Sequence, residues 1–329
     1  MERRILVNIE YSNGEVKNVS KEILTYLSSK QVVDRNEVYG LIYGSKIDQD
    51  TYKQIGELGI KNIISVIDES LRCHNPEIVE YIYTDIIDEL KPDLIFFGNT
   101  YVGRDVLPRL SQHYNAYGVS DIIDMEFKDD YSIVFRKPIY GGRIIEKLQF
   151  QNEEKLFITS RPNVFGVSDT NKVIPKISFR KLNKIEDSKY KVLKIVEKED
   201  SVLPINEAEI IVAGGRAFKS SQDFEILHDL ADVFGATVGG SRPVIDMGIK
   251  RRSLQIGQSG KSVSPRLIFV CGISGQIQFV AGIGNAGTVI SINKNSDATI
   301  FKTSDYGIVG DVYKIVPILT EKLKEIVKI

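Results

Sequence analysis

Short apolar runs at 5–11 (ILVNIEY), 38–43 (VYGLIY), 62–67 (NIISVI) and 93–98 (DLIFFG) are each followed by a segment whose apolar residues return every three or four positions. That pattern predicts repeated β-α units, with helices over 19–30, 51–58, 75–90 and 104–112. In the third helix Asn75 is placed to cap the N-terminus, and Pro76 suits the first turn, where a missing N–H costs nothing. Uninterrupted apolar runs suit strands covered on both faces by crossover helices, so the first part of the chain should carry a mostly parallel sheet. Residues 127–160 change character. They alternate apolar and polar positions around Gly141-Gly142, which predicts strands, some of them antiparallel, completing the same domain.

Charge dominates from about Asn171 to Glu199, and a second βα series follows the apolar residues at 202–205. The pattern divides the chain into a first domain at 1–170, an interdomain segment at 171–204 and a second domain at 205–329. In the second domain, strands are predicted at 209–213, 266–271, 288–292 and 306–309. Helices are predicted at 220–234, from Ser274 and at 311–327. Its many glycines fall mostly where a strand should end, the place where an open α/β sheet takes its ligand.

Composition narrows the function classes. The 329 residues hold 43 Lys plus Arg against 44 Asp plus Glu, a formal charge of -1, which gives no electrostatic reason for a nucleic-acid partner. No stretch approaches the roughly 20 apolar residues of a membrane span. The N-terminal MERRILVNIEY meets Glu10 before any leader-like apolar region develops. Cys73 and Cys271 are too few and too far apart in sequence for a disulfide scaffold or a cysteine-rich metal site, which predicts a reducing, cytoplasmic setting. His74, His113 and His228 show no metal-ligand spacing, so no metal is expected.

Three phosphate-loop patterns nearly form. GQSGKS at 257–262 would need a leading glycine where Gln255 stands, and GGRAFKSS at 214–221 has Phe218 where a glycine belongs. Gly282, Gly284 and Gly287 satisfy the dinucleotide spacing but precede a strand instead of opening a helix. What remains is a constellation at strand ends. Gly214-Gly215-Arg216 leads to Ser220-Ser221, where a serine could cap a helix and leave amides for an anion, and Gly272 leads to Ser274-Gly275-Gln276. Ser241-Arg242-Pro243 and the 255–260 segment add a cation, amides and hydroxyls. No base accompanies the serines, so this is an inventory for binding.

These residues carry a resemblance. The run from GGRAFKSSQDFEILHDLADVFGATVGGSRPVIDMG, through LQIGQSGKSVSPRLIFVCGISGQIQFVAGI and VISINKNSDATIF, to SDYGIVGDVYKIVPILTEKL resembles electron-transfer flavoprotein alpha subunits over essentially all of 208–325. More loosely, GNTYVGRDVLPRL, RKPIYGGRI and ITSRPNVFG are similar to the same family. The resemblance implies an α/β chain of two domains: an N-terminal, mostly parallel, nucleotide-hydrolase-like scaffold that packs on a beta subunit, and a C-terminal doubly wound domain that binds FAD. It implies an electron carrier and not an enzyme. Such a carrier pairs as a heterodimer with a beta subunit that usually holds AMP, or a second FAD in bifurcating members. It accepts electrons from flavin dehydrogenases, including the acyl-CoA type of fatty acid β-oxidation, and delivers them to a redox acceptor protein. With the charged 171–204 segment, it also implies a second domain that swivels. The rivals are an NAD- or CoA-binding α/β enzyme, for which His228 would be the one histidine available, and a flavin-free assembly subunit.

Carried over residue by residue, the resemblance puts Arg242 beside the isoalloxazine, with Ser241 next to it. It gives Ser259 the hydrogen bond to the reactive ring nitrogen, with Gln255, Ile256, Gly257 and Gln258 alongside. Ser274, Gly275, Gln276, Ile277 and Gln278 should meet the flavin and its ribityl–pyrophosphate region with Arg216, and Asn293, Asp311 and Val312 the adenosine half. One position departs from the pattern: the segment SGQIQF usually ends in histidine, and here Phe279 stands there. Phenylalanine can pack but cannot donate a hydrogen bond to the flavin, which predicts a lower first reduction potential than in histidine-bearing relatives.

Overall fold

The computed structural model describes residues 3–12, 14–140, 142, 144–151, 155–182, 188–190, 192–193 and 204–326. The chain divides into two compact units, one of Met1–Pro138 with Ile145–Glu197 and one of Ile139–Ile144 with Lys198–Ile329. The expected interdomain segment 171–204 needs correction at its start, because Lys176–Arg180 is an edge strand of the first sheet, paired parallel with Asn62–Ile67. Phe179 packs edge-on against Tyr52, 6.1 Å between ring centroids, so a stretch that reads as charged linker still carries an anchoring ring. Most of 183–203 lies outside the described residues, as does Gly141 of the expected Gly141-Gly142 turn.

The first unit is built on seven parallel strands in the order Lys176–Arg180, Asn62–Ile67, Asn36–Gly44, Arg3–Asn8, Leu94–Gly98, Leu156–Ser160, Tyr117–Ile122. Successive side chains of Arg3–Asn8 serve opposite cores. Ile5 and Val7 join Ile23, Leu27 and Ile55 on one face, while Leu6 joins Val79, Ile82 and Val106 on the other. This two-sided burial is why the strands read as unbroken apolar runs. The helix Pro76–Leu90 begins as expected, its Asn75 side chain accepting from the Glu77 N–H at 3.0 Å. The helix expected at 19–30 is Asn18–Leu27, followed by a separate turn of helix at Lys30–Val33.

The alternating region holds two kinds of strand. Asp124–Phe127 pairs antiparallel with Ile133–Ile139, and Ile144–Phe150 completes that three-stranded sheet. Leu156–Ser160, fully buried, instead enters the parallel sheet between Leu94–Gly98 and Tyr117–Ile122. The segment Ile139–Ile144 belongs to the second unit, so 127–160 does not lie wholly in the first.

The second unit is a doubly wound sheet of five parallel strands in the order Thr237–Gly240, Ile210–Gly214, Leu267–Cys271, Thr288–Asn293, Tyr306–Val309. Thr237–Gly240 went unread because a strand of four residues with two glycines carries little apolar signal. One core contains Ile211, Ile268 and Ile283, and the opposite one Val212, Leu227 and Val316. The helix expected at 220–234 is a 3-10 turn at Gln222–Phe224 leading into Glu225–Asp232. No helix among the described residues is long and apolar enough to cross a membrane.

Cys271, fully buried at a strand end, has its thiol pushed up to about 12 by burial, whereas Cys73 is partly exposed. Because the thiolate is the reactive form, a disulfide reagent at pH 8 should label one thiol per native chain and two after denaturation. Equal labelling rates for the two cysteines in the native protein would contradict this burial.

Candidate functional site

In sequence terms the second sheet runs second, first, third, fourth, fifth, so the chain reverses its winding between Ile210–Gly214 and Leu267–Cys271. A crevice opens at the carboxyl ends of such a pair. Two glycine turns meet there. The Gly215 N–H donates to the Cys271 carbonyl at 3.0 Å, and a Cβ on Gly215 would stand 2.3 Å from the Gly272 oxygen. Gly272 itself has φ +65° and leaves no room for a side chain against Ala217. On the neighbouring side, the Gln258 N–H donates to the Gln278 carbonyl at 2.7 Å, and a Cβ on Gly282 would come within 2.5 Å of the Gly257 backbone. Glycine is therefore what lets the helix Ile277–Ile283 close onto the 255–261 loop.

The result is a cavity of about 480 Å³. Of the residues expected from sequence, it is lined by Arg216, Ser241, Arg242, Ile256, Gly257, Gln258, Ser259, Ser274, Gln276, Gln278, Phe279 and Asn293. A second cavity of about 320 Å³ shares Arg216 and Asn293 with it and is also lined by Asp311 and Val312. Three expected residues stand outside both linings. Gln255 is buried behind the loop, Gly275 forms a turn at φ +84° packed on Ile300, and Ile277 is 51 % exposed. The lining also includes residues given no flavin contact from sequence: Pro243, Gly272 and Ile273 in the first cavity, from the strand-end turns already singled out, and Ala217, Lys219, Lys294 and Tyr313 in the second. Their shared signal is position, within a few residues of a strand's carboxyl end.

The larger cavity is lined by two guanidinium groups, four primary amides and three hydroxyls, with no carboxylate or imidazole. It is a donor-rich, cationic surface. The Arg242 Nε lies 3.3 Å from Asp246, but the pair is 70 % and 64 % exposed, worth about 0–1 kcal/mol, and leaves most of the guanidinium donors uncommitted. Gln255 acts through Ser259: its Nε2 donates to the Ser259 Oγ at 2.9 Å, so the hydroxyl proton is left to point elsewhere. Asn293 is already engaged, its Nδ2 donating to the Ile273 carbonyl at 2.9 Å and its Oδ1 accepting from the Asn295 N–H at 3.0 Å. It ties two strand ends together, and the expected contact with adenosine would have to come from its exposed edge.

The amides near Ser220 are not open to an anion, which corrects the expectation for that turn. The Asp223 carboxylate accepts from the Lys219 and Ser220 N–H groups at 2.8 and 3.1 Å. Those bonds and the Ser220 hydroxyl hold Asp223 below the usual carboxylate range. The protein has placed its own anion there. Tyr313, whose hydroxyl lies 3.0 Å from Asp223, is pushed up to about 12 by burial and by that hydrogen bond. His228 lies 2.6 Å from the Lys250 Nζ, and burial together with that cation lowers its pKa. It lines neither cavity.

Residues 5–198 match the family model described as "Electron transfer flavoprotein domain", and residues 204–284 match "Electron transfer flavoprotein FAD-binding domain". The chain is 34% identical to an electron transfer flavoprotein subunit alpha of Bacillus subtilis, covering 99% of both chains. It is 34% identical to Protein FixB of Clostridium saccharobutylicum, covering 98% of this chain and 97% of that one. It is 32% identical to the LctC subunit of a lactate dehydrogenase (NAD(+),ferredoxin) of Acetobacterium woodii, covering 96% of this chain and 75% of that one.

Proposed function

The chain belongs to the electron transfer flavoprotein family, among its alpha subunits, and on that footing we propose that the second unit holds FAD and that the protein carries electrons as a heterodimer with a beta subunit. The observation that carries this reading is the donor-rich cavity at the winding reversal, whose glycine turns admit a ligand to the backbone. Two cavities of about 480 and 320 Å³ that share lining residues suit an extended dinucleotide, and acceptor-rich flavin edges and a pyrophosphate match amides, hydroxyls and guanidinium groups.

Bound FAD supplies one- and two-electron redox chemistry. The protein's part is placement and charge. Arg242 would set a permanent cation in the cavity that takes the ring system, where negative charge would grow on reduction. Ser259, whose oxygen accepts from Gln255, would offer its hydroxyl proton to the flavin, and Gln258 and Gln278, lining the same cavity, would supply further hydrogen bonds to it. Arg216, which lines both cavities, would hold the phosphates, and Asp311, Val312 and Tyr313, lining the second cavity, would hold the adenosine end. Ile256, Ile273 and Phe279 give the ring an apolar wall that excludes water.

The proposed setting is the cytoplasm, with a flavin dehydrogenase as donor and another redox protein as acceptor. Acyl-CoA dehydrogenases of fatty acid β-oxidation are one donor class. The Acetobacterium relative, a subunit of a lactate dehydrogenase (NAD(+),ferredoxin), points to a second. The test is the visible spectrum of this chain co-expressed with its beta-type partner, with the released flavin identified. One FAD per pair supports a simple carrier and two support a bifurcating complex. A folded, colourless pair would reject the proposal in favour of a flavin-free assembly subunit.

Phe279 is 5 % exposed and packs with Ile256, Val263 and Ile283 while lining the cavity. Phe279→His should raise the flavin potential, because a neutral hydrogen bond worth about 0.5–1.5 kcal/mol corresponds to roughly 20–60 mV for one electron. Losing part of the buried ring should cost about 1–3 kcal/mol of stability. Potentiometric titration of the two complexes decides it; unchanged potentials would remove any electronic role from this position.

A further inference from the structure

The first sheet has a winding reversal of its own. Arg3–Asn8 lies between Asn36–Gly44 and Leu94–Gly98, and a cavity of about 470 Å³ opens at their carboxyl ends, lined among others by Asn8, Glu10, Tyr43, Arg72, His74 and Tyr101. We propose that this cavity binds a small phosphorylated vicinal diol, such as a sugar phosphate or a mononucleotide. That would give the first unit a ligand beyond its scaffold role.

Asn8 carries the argument. It is 1 % exposed, and its Oδ1 accepts from the Tyr83 hydroxyl at 2.7 Å, which fixes the amide's orientation. The other end, Nδ2, is a buried donor with no partner among the described residues. Such a donor is costly unless something accepts from it. Two residues along, Glu10 is 8 % exposed and is held from behind, Oε1 accepting from the Thr100 hydroxyl at 2.7 Å and Oε2 from the Lys17 ammonium at 3.3 Å. A carboxylate has about four acceptor positions, so further lone pairs remain for a ligand.

A vacant donor and an acceptor-only group that line one cavity are together the complement of hydroxyls, which both donate and accept. Two adjacent hydroxyls can satisfy Asn8 and Glu10 together. The rim adds the opposite chemistry. Arg72, its side chain 73 % exposed and only 4.0 Å from Glu69 at its nearest, offers a guanidinium fork for a phosphate. Tyr101, 62 % exposed and edge-on to His74 at 5.6 Å, offers a flat face on which a ring could rest. The volume lies within the range of small-molecule sites.

The test is calorimetric titration of the co-expressed complex with ribose 5-phosphate, AMP and 2′-deoxy-AMP, repeated with Asn8→Asp and Arg72→Ala. A beta-subunit nucleotide site is the same in all three proteins, so any difference between them belongs to this cavity. We expect saturable binding of diol-bearing probes, weakened at least tenfold by Asn8→Asp and severalfold by Arg72→Ala, with 2′-deoxy-AMP failing at this site. Binding of ribose 5-phosphate and AMP alike would assign recognition to the diol phosphate; binding of AMP alone would assign the source as a nucleotide resting its base on Tyr101. Absence of saturable binding, or binding that both variants leave unchanged, overturns the proposal. Arg72 is on the surface, so its variant remains informative if Asn8→Asp does not fold.

Discussion

Gly215→Val should yield a complex with little or no bound flavin and a lower melting temperature. The first Cβ alone would lie 2.3 Å from the Gly272 carbonyl oxygen and 2.5 Å from the Ile273 side chain, so the two turns at the winding reversal must separate. Overpacking of this kind costs about 1–3 kcal/mol and sometimes more, and a domain of this size loses about 4 °C per kcal/mol. The larger effect falls on the ligand, because the displaced turns carry Arg216 and Ser274. Gly284→Ala is the matched control: its Cβ would meet nothing closer than the Val280 carbonyl at 3.8 Å, and flavin content should stay at the parental level. Flavin-to-protein absorbance ratios and melting curves for the two variants read the contrast directly. Full flavin occupancy in Gly215→Val would show that the close approach of the turns does not shape the binding site.

Arg242→Ala should keep its fold and lower the flavin's reduction potential by roughly 60–120 mV per electron. A hydrogen bond to a charged group is worth about 1.5–3 kcal/mol, and each tenfold change in a one-electron equilibrium is about 59 mV. The residue begins a short helix at the surface, Arg242–Asp246, and its partner Asp246 is itself exposed, so removal leaves no buried charge behind. Arg242→Lys should recover part of the shift, since it restores the charge but not the planar fork. Arg216→Ala should act differently, weakening FAD retention with little change of potential, because Arg216 lines both cavities. Spectroelectrochemical titration against retention on a desalting column separates these effects. Equal potentials in Arg242→Ala and its parent would place this guanidinium away from the redox-active ring.

Much of this site could be read from sequence because its ligand-facing groups follow strands, and strands buried on both faces announce themselves as apolar runs. Ile210–Gly214 and Leu267–Cys271 were legible in that way, and with them the turns that carry Arg216 and Ser274. Where the local signal was weak, the reading failed. Thr237–Gly240 is half glycine, and Lys176–Arg180 shows solvent most of its side chains, so each is a strand only because a neighbour supplies its hydrogen bonds. The anion site expected near Ser220 failed for another reason. The sequence shows amides and a serine, but it does not show that Asp223, three residues on, folds back to fill the space. Gln255 illustrates the converse: residue type and spacing suggested contact with ligand, while packing makes it a support for Ser259.

The strand order of the first unit also bears on how the chain can fold as it is made. Arg3–Asn8 and Asn36–Gly44 can pair early, but Asn62–Ile67 receives its outer neighbour only from Lys176–Arg180, and Leu94–Gly98 waits for Leu156–Ser160. During synthesis both flanks of a growing parallel sheet therefore stand as open edges until nearly the whole unit has emerged, and pairings of such long sequence separation form slowly. A ribosome stalled before residue 156 would hold a nascent chain with two unpaired strand edges, a substrate for chaperones and not yet a domain.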